Sequence, residues 1–401
     1  MCIRDSRYIS TLSTSVDSWI IDGKKVQSTQ KPTIVSSTLT WEKVTTLDLG
    51  LDARFFNDAL GVTFDWYNRT TSDILTTANL PATLGADAPY ENMGTIQTKG
   101  WELAIDYRHT FKNGLHFGVT ASVADDKTEV TKWTYNTKIP SYGATGWWDK
   151  SAYKEGMVLG DIWGLQFDRF LTEDDFNADG SLKAGLPDQT KVFPAGYQFA
   201  PGDVLYKDLD NNGEIVKQTN TNDKGDLSVI GNALPRLQFG LNLDAAWKGF
   251  DISMFFQGVA KRKLWAAGNQ VLPGFTTGEP FYKGAEDYWT PENTDAFYPR
   301  PMDYKQSASG NYSVNDRYLL NMAYLRLKTF TVGYSLPKVW LSKFKVQGLR
   351  VYFTGENLFT IDGVKPAIDP EIGIRTASGK SDQRNFGRSY PYQKTVSFGI
   401  Q

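Results

Sequence analysis

Residues 208–215 carry oxygen-bearing side chains at the spacing of a calcium-binding loop. These side chains recur at alternate positions, Gly213 allows a sharp turn, and Ile215 follows as an apolar anchor. Thr219 stands where an EF-hand places its bidentate glutamate, so the loop is no EF-hand. Two readings stay open: a turn rich in Asp and Asn that binds nothing, and a structural calcium ion that stiffens a loop. The candidate ligands are Asp208, Asp210, Asn212 and Glu214.

Two further groups of residues have side chains that can bind metals. Residues 175–180 repeat the spacing of the first loop in the order Asp, Phe, Asn, Ala, Asp, Gly. His109 and His116 flank the turn signal Asn113-Gly114, which would bring them close together. Histidines near a hairpin turn are commonly incidental. We therefore expect the histidines to bind no metal, and we rank the second loop below the first.

No catalytic motif is present in the sequence. A zinc-protease His-Glu-x-x-His, a Gly-x-Ser-x-Gly, a phosphate loop and a Gly-x-Gly-x-x-Gly are all missing. Carboxylates are plentiful, as a glycosidase needs, but nothing in their spacing distinguishes any two of them. We expect a protein that is not an enzyme, and a hydrolase is the third hypothesis behind the two given below.

Aromatic residues could bind ligands by stacking. The chain has 12 Trp, 20 Tyr and 23 Phe, and many of them are clustered. Flat rings can pack against the C–H faces of sugars, but they also form belts at membrane interfaces and contacts with partner proteins. The sequence leaves these readings open. The clustered residues are Trp133, Tyr135, Tyr142, Trp147, Trp148, Tyr153, Trp163, Tyr282, Tyr288, Trp289 and Tyr298.

Composition excludes several classes of protein. The net charge of -2 gives no electrostatic case for binding nucleic acid. A single cysteine, Cys2, excludes an internal disulfide framework and a cysteine-based metal site. Mean hydropathy is -0.40, and no run approaches the ~20 apolar residues of a membrane helix. A membrane β-barrel stays possible, because each of its strands exposes only every second residue to lipid.

The elements that would position these residues are paired strands. Apolar and polar side chains alternate along each strand, so one face is apolar and the other polar. Tight turns are predicted at Asn57-Asp58, Asn113-Gly114 and Lys248-Gly249, and a connection near Leu336-Pro337 joins a fourth pair. A change of parity predicts a bulge at Lys328-Thr329. Residues 392–401 form a lone last strand.

Connection lengths favour a barrel over a soluble fold. Strands of about 9–13 residues suit a tilted crossing of the bilayer. Short turns alternate with the long connections 70–99, 126–235, 261–323 and 358–391. Outer-membrane barrels have short turns at one rim and long extracellular loops at the other, whereas long structureless loops are uncommon in compact soluble domains. The second hypothesis is a soluble β-sandwich that binds carbohydrate. Strand-like segments within 161–208 could be barrel strands or a hairpin inside one long outer loop, and we favour the loop.

The chain resembles the C-terminal barrel of the SusC/RagA family of TonB-dependent outer-membrane importers. The resemblance covers residues 40–400 and rests on motifs that occur in the family's order. They include Asn92-Met93-Gly94, Pro201-Gly202-Asp203, residues 231–236 (Gly-Asn-Ala-Leu-Pro-Arg), 288–293 (Tyr-Trp-Thr-Pro-Glu-Asn), 324–328 (Tyr-Leu-Arg-Leu-Lys), 333–337 (Gly-Tyr-Ser-Leu-Pro), 355–360 (Gly-Glu-Asn-Leu-Phe-Thr) and Asp369-Pro370-Glu371.

The resemblance implies an all-β, antiparallel transmembrane barrel in the outer membrane. It implies that this chain supplies roughly ten to twelve of the family's 22 strands, as an incomplete C-terminal portion with long extracellular loops. It further implies import of glycan oligomers or peptides, a SusD-like lipoprotein lid, energy from TonB, and no catalytic residues or organic cofactor. We expect residues 1–40 to be loop or frayed edge with non-native first residues, and residues 41–401 to be barrel without the plug domain.

Overall fold

A computed structural model describes most of the chain. The described residues are 10, 14–29, 34–77, 88–134, 153–217, 224–266, 268–275, 281–302, 310–342, 345–366, 368–371 and 392–401. Helical structure in them consists of α1 (Lys338–Leu341) and short 3-10 turns, among them Glu173–Asp175, Lys283–Glu286 and Gly310–Tyr312. None of the described helices has the length and apolar character needed to cross a bilayer.

Strands dominate the structure. In chain order they are β1 (Thr14–Ile21), β2 (Lys24–Thr29), β3 (Lys43–Phe55), β4 (Leu60–Thr77), β5 (Tyr90–Thr110), β6 (His116–Trp133), β7 (Asp161–Gly164), β8 (Phe167–Phe170), β9 (Val204–Tyr206), β10 (Ser228–Asn232), β11 (Arg236–Trp247), β12 (Phe250–Lys261), β13 (Lys263–Leu264), β14 (Leu320–Asn321), β15 (Tyr324–Ser335), β16 (Arg350–Asp362) and β17 (Thr395–Ile400).

Nine strands form one antiparallel sheet. Its order is β17-β16-β15-β12-β11-β6-β5-β4-β3, so six of its eight neighbouring pairs are consecutive strands, and only strands outside the sheet separate the other two pairs in sequence. The predicted pairs and turns are confirmed: Lys248 and Gly249 have φ of 48° and 92°, and Asn57 and Asp58 have φ of 53° and 66°. Positive φ at successive residues matches the twist of a tight hairpin. The described residues contribute nine strands to this sheet, and the resemblance implies ten to twelve.

Strands β4 to β6 are longer than predicted. They contain 18, 21 and 18 residues, so residues 70–77 and 90–99 belong to the sheet and not to a connection. The pairing of β4 with β5 shifts register on both sides of Ile74. Because each shift interrupts the two-residue period, alternation in the sequence could not reveal the extension. Ile74 and Leu75 are both buried.

The predicted bulge in β15 is confirmed. The register of β15 shifts between Leu327 and Thr329 in its pairing with β16, and Phe255 and Phe256 of β12 face the same irregularity. Lys328 is the extra residue in the pairing with β12, and it allows Leu327 and Phe330 to lie on the same face of the sheet, whereas the extra residue in the pairing with β16 lies on β16.

The N-terminal segment differs from the expected loop or frayed edge. Strands β1 and β2 pair as a separate two-stranded hairpin around Asp22 and Gly23, whose φ values are 51° and 76°. Its many serines and threonines alternate only weakly with apolar residues, so the sequence pattern did not predict these strands. The other residues expected to be loop lie partly outside the described residues.

The long connections carry folded structure of their own. Strand β7 pairs with β10, β8 with β9, and β13 with β14, and none of these joins the nine-stranded sheet. The prediction that the segments within 161–208 belong to an outer loop is therefore confirmed. Two clusters of buried apolar residues lie in these connections, one around Leu264, Trp265 and Met322 and the other around Val204 and Tyr206. We call this folded region the loop assembly.

Candidate functional site

The two faces of the nine-stranded sheet differ in chemistry. Cross-strand partners share a face, so the register assigns every side chain to one side or the other. Apolar rows cross several strands, and many of these side chains are exposed: Leu49 and Leu51 are 59% and 62% exposed and Phe250 is 58% exposed. Such a face needs an apolar medium around it. One row consists of Leu51, Phe64, Leu103, Val123 and Phe239.

The opposite face is mainly polar. It contains ion pairs, such as Arg54 with Asp106 at 2.8 Å and Arg350 with Asp251. Small residues near its centre leave a depression of about 700 Å³, bordered by Asp65 and Glu102. A polar, charged wall is suited to water and to solutes, not to a packed core. One row consists of Asp52, Thr63, Ala104, Ser122, Gly240, Gln257, Arg326 and Thr360.

Above this wall, a buried carboxylate joins two connections of the loop assembly. The side chain of Asp203 is fully buried and accepts hydrogen bonds from Arg300 Nε at 2.8 Å, Tyr197 Oη at 2.9 Å and Asn311 Nδ2 at 2.9 Å. Its second oxygen accepts from the backbone N–H of Ala200 at 2.9 Å. Because these partners come from before β10 and after β13, Asp203 holds the two connections together as one unit.

Glycine is required next to this carboxylate. Gly202 has φ of 90°, and a Cβ atom there would lie 2.5 Å from the ring of Trp289. Both the backbone conformation and the close approach exclude a side chain. Sequence comparison with the family identified Pro201-Gly202-Asp203 as a motif, but its role in joining two distant connections became apparent only in the structure.

A second buried ion network anchors residues 368–371 to the polar face. Arg326 is 3% exposed, and it donates to Asp369 at 2.8 Å, Glu371 at 2.7 Å and Thr360 Oγ1 at 2.8 Å. Lys328, the bulged residue, donates to both oxygens of Glu371 at 2.9 Å. The bulge thus places two cations side by side against two carboxylates. Residues 368–371 follow β16 and fold back over the inner wall just below the rim.

The predicted calcium loop lies in the loop assembly, and the carboxylates that converge there differ from the predicted set of ligands. Oxygens of Asp208 and Asp210 lie within 4.8 Å of each other and of Asp226, which sequence reasoning missed because it lies 16 residues further along the chain. Asn212 Nδ2 donates to Asp210 at 2.9 Å, and Glu214 forms an ion pair with Lys191. The structure therefore brings two of the four predicted ligands together and directs Glu214 elsewhere. These side chains offer oxygens that calcium prefers.

Asp226 is the unusual member of this group. It is buried, and its two oxygens accept from the backbone N–H groups of Leu209 at 2.8 Å and Val216 at 2.7 Å. Burial, together with the nearby charges of Asp210 and Asp208, raises its pKa. A cation at this position would relieve that repulsion.

The second candidate loop is held by an internal ion pair. Both oxygens of Asp175 accept from Arg169, at 2.6 and 2.7 Å, and Asp175 also caps the 3-10 turn through the backbone N–H of Thr172 at 2.8 Å. These hydrogen bonds from Arg169 lower the pKa of Asp175 to about 2. Asp179 accepts from Ser181. The first carboxylate of this loop is therefore a structural anchor.

The two histidines lie at the short-turn rim. His109 packs edge-on against Phe111, with ring centroids 4.6 Å apart. His116 Nδ1 lies 3.1 Å from Thr110 Oγ1, and its Nε2 lies 3.6 Å from Asp244. Within the described residues they do not belong to a cluster of three or more histidine, cysteine or carboxylate ligands.

The aromatic clusters occupy different environments. Trp133 and Tyr153 pack against each other, with ring centroids 5.0 Å apart, where the ends of β4 and β6 meet the loop assembly. Trp289 and Tyr298 are buried, whereas Tyr282 and Tyr288 are 38% and 41% exposed. Trp163 is half-buried. The remaining four of the predicted set, Tyr135, Tyr142, Trp147 and Trp148, lie outside the described residues.

Comparison with known proteins identifies the family. The family described as TonB dependent receptor-like, beta-barrel, matches residues 8–358. The chain belongs to this family. Its nine-stranded sheet is therefore a portion of an outer-membrane β-barrel, and its apolar face meets lipid. The family consists of receptors and not of enzymes.

Relatives of this barrel agree with the resemblance seen in the sequence. TonB-dependent receptor P3 of Formosa agariphila is 27% identical over 95% of this chain and 36% of its own length. TonB-dependent receptor SusC of Bacteroides thetaiotaomicron is 24% identical over 87% of this chain and 32% of its own length. The RagAB peptide transporter matches in structure with a TM-score of 0.67 at 20% identity, over 98% of this chain and 38% of that one. The chain spans about a third of these relatives.

Proposed function

We propose that this chain forms the wall and the outer loops of a TonB-dependent importer of nutrient oligomers, either glycans or peptides. The observation that carries the proposal is the single sheet with one continuous apolar face and one polar face, capped at one rim by a folded loop assembly. In this arrangement the apolar face contacts lipid, the polar face lines a water-filled lumen, and the loop assembly is the first surface that a solute contacts. Import of this kind depends on binding and gating, so catalytic residues are not required.

The partners follow from the same proposal. A SusD-like lipoprotein would cover the outer rim, where the loop assembly lies. Energy would come from TonB through the N-terminal part of the whole receptor, including its plug. The family membership and the relative named SusC support this composition.

Uptake measurements in cells test the proposal. Cells that carry the full-length receptor should accumulate a labelled oligosaccharide or oligopeptide, and deletion of TonB or of the receptor should reduce uptake to background. A strain lacking only the lipoprotein should show much weaker uptake. Uptake that is unchanged without TonB would contradict the proposal.

A charge introduced on the apolar face should impair insertion. We expect Leu243→Arg to cost about 2–4 kcal/mol if it lies near the bilayer centre. Leu243 pairs with Met254 and Val119 on the apolar face, whereas its neighbour Asn242 lies on the polar face. Refolding of the full-length receptor into vesicles over a urea series, read by heat-modifiable gel mobility, measures the difference.

Asn242→Arg is the matched control, because it adds the same charge one residue away on the wet side. It should insert almost as well as the native chain. Equal effects of the two substitutions would contradict the assignment of faces. A protein that stayed monomeric in buffer without detergent would favour the soluble β-sandwich instead.

We further propose that the loop around Asp208 and Asp210 holds a calcium ion, with Asp226 as an additional ligand. The spacing in the sequence and the convergence of three carboxylates support this site. Calcium should raise the melting temperature of the loop assembly in the full-length receptor, and chelation should lower it. Asp210→Asn should abolish the calcium response, while Asp174→Asn, an exposed carboxylate outside the group, should preserve it. A response that survives Asp210→Asn would exclude this site.

A further inference from the structure

Two lysines face each other on the apolar side of the wall, at the edge of its apolar band. The register that pairs Leu103 with Val123 on this face also pairs Lys99 of β5 with Lys127 of β6, four residues further along each strand. Because the pairing is regular between these positions, both lysines lie on the same face as the apolar residues. Both side chains are exposed.

The level of the lysines follows from the height of the apolar band. In a membrane barrel the band is about 25 Å tall and takes roughly ten residues of a strand tilted by 35–45°. Strand β5 ends at Thr110 near the short-turn rim, so the upper edge of the band lies close to Trp101. Trp66 pairs directly with Trp101, and tryptophans are typical of the aromatic girdle at the headgroup boundary. Lys99 and Lys127 lie beyond this pair and therefore at the level of the lipid headgroups.

The charges at this level do not cancel within the wall. Like charges on directly opposite residues destabilise a sheet. The carboxylates two residues on either side of Lys127 are already engaged: Glu129 Oε2 lies 3.4 Å from Lys127 Nζ, and Asp125 accepts hydrogen bonds from Arg236. Lys99 takes part in neither pair. Among the described residues, Lys99 therefore faces a cation, and not an anion, on the neighbouring strand.

We propose that Lys99 and Lys127 bind the phosphate group of an anionic lipid in the outer leaflet of the membrane. A phosphate between the two ammonium groups replaces their repulsion with two charge-assisted hydrogen bonds. The apolar residues below contact the acyl chains, and the lysine pair continues the same lipid interface into the headgroups. Leu47, in the same cross-strand row as Lys99, is apolar and 54% exposed, which favours a lipid over a free anion. Such a lipid would anchor the wall at its upper rim, whichever nutrient the receptor imports.

Lipid binding by the full-length receptor in detergent, measured by native mass spectrometry, tests the lysine pair. The probes are monophosphoryl lipid A, the same lipid after removal of its phosphate, and inorganic phosphate. Lys99→Gln combined with Lys127→Gln should weaken binding of the phosphorylated lipid about tenfold. Lys99→Arg combined with Lys127→Arg keeps both charges and should stay within about threefold of the native affinity. Lys183→Gln combined with Lys207→Gln removes the same charge from the exposed surface of the loop assembly and should change nothing.

Thermal stability gives a second readout. Without added lipid, Lys99→Gln should leave the melting temperature unchanged or raise it slightly, because it removes a contact between like charges. Monophosphoryl lipid A should raise the melting temperature of the native receptor more than that of Lys99→Gln.

Three results would overturn this lipid site. The first is equal binding of the phosphorylated and dephosphorylated lipids, and the second is native affinity in the double glutamine variant of Lys99 and Lys127. The third is displacement of the lipid by millimolar inorganic phosphate, which would indicate a site for free anions. None of these results bears on TonB-dependent uptake, so the import function is tested separately.

Discussion

Arg326→Ala is expected to lower the free energy of unfolding by about 3–5 kcal/mol. The substitution removes the main cation from a network in which Asp369 and Glu371 are themselves 7% and 11% exposed. Asp369 would lose its cation in a poorly solvated site and Glu371 would keep only Lys328, and loss of one partner is the most costly way to break a buried ion pair. Urea unfolding of the full-length receptor in vesicles measures the loss. Residues 368–371 should also become sensitive to protease.

Two controls separate charge from packing in this network. Arg326→Met combined with Asp369→Asn removes one charge of each sign and keeps the Lys328–Glu371 pair, so it should recover most of the lost stability, because no unpaired charge remains. Arg108→Ala removes an exposed arginine from the same sheet and should change stability by no more than about 0.5 kcal/mol. A double variant no more stable than Arg326→Ala would contradict the electrostatic explanation.

Asp203→Ala is expected to release the two halves of the loop assembly from each other. It leaves Arg300, Tyr197 and Asn311 without their shared acceptor in a site where Asp203 is fully buried. A loss of about 3–5 kcal/mol of local stability is expected. Backbone amides of β9 should therefore exchange with solvent about two to three orders of magnitude faster. Hydrogen exchange on the full-length receptor, resolved by peptide, is the measurement.

The effect should be confined to the loop assembly. Exchange in β11 and β12 should stay at its native rate, since the wall is held by its own ladder of hydrogen bonds. Asp295→Ala removes an exposed carboxylate from the same connection as Arg300 and serves as the matched control. Faster exchange in the wall as well would show that the loops and the barrel form one cooperative unit.

The barrel wall was largely predictable because its signals are local. Alternation in β3, β11 and β12 and the turn at Lys248-Gly249 depend on residues next to each other in sequence. The bulge at Lys328 was visible for the same reason, as a change of parity within one strand. Where two register shifts occur close together, around Ile74, the period is lost and the strand end was misplaced by several residues.

The site was predictable only in part because its residues meet through folding. Asp208 and Asp210 are neighbours in sequence and were recognised, whereas Asp226 joins them through a turn of the connection and was missed. In the loop assembly, the lining of a cavity of about 450 Å³ brings Pro273 near Tyr312 across almost forty residues. The spacing of residues in the sequence does not predict such a long-range contact.

The sequence pattern therefore determined a sheet with one apolar and one polar face, together with its hairpins, because alternation and turn preferences act over two to five residues. Short motifs in the sequence also indicated the family. The tertiary structure alone showed how the loop assembly is packed, because its contacts join residues far apart in sequence. Asp203 is buried among partners roughly 100 residues away and joins the two connections of the loop assembly, and Arg326 contacts Glu371, 45 residues away, and anchors residues 368–371 to the polar face. Contacts of that range depend on the folded arrangement of whole connections and not on any local preference.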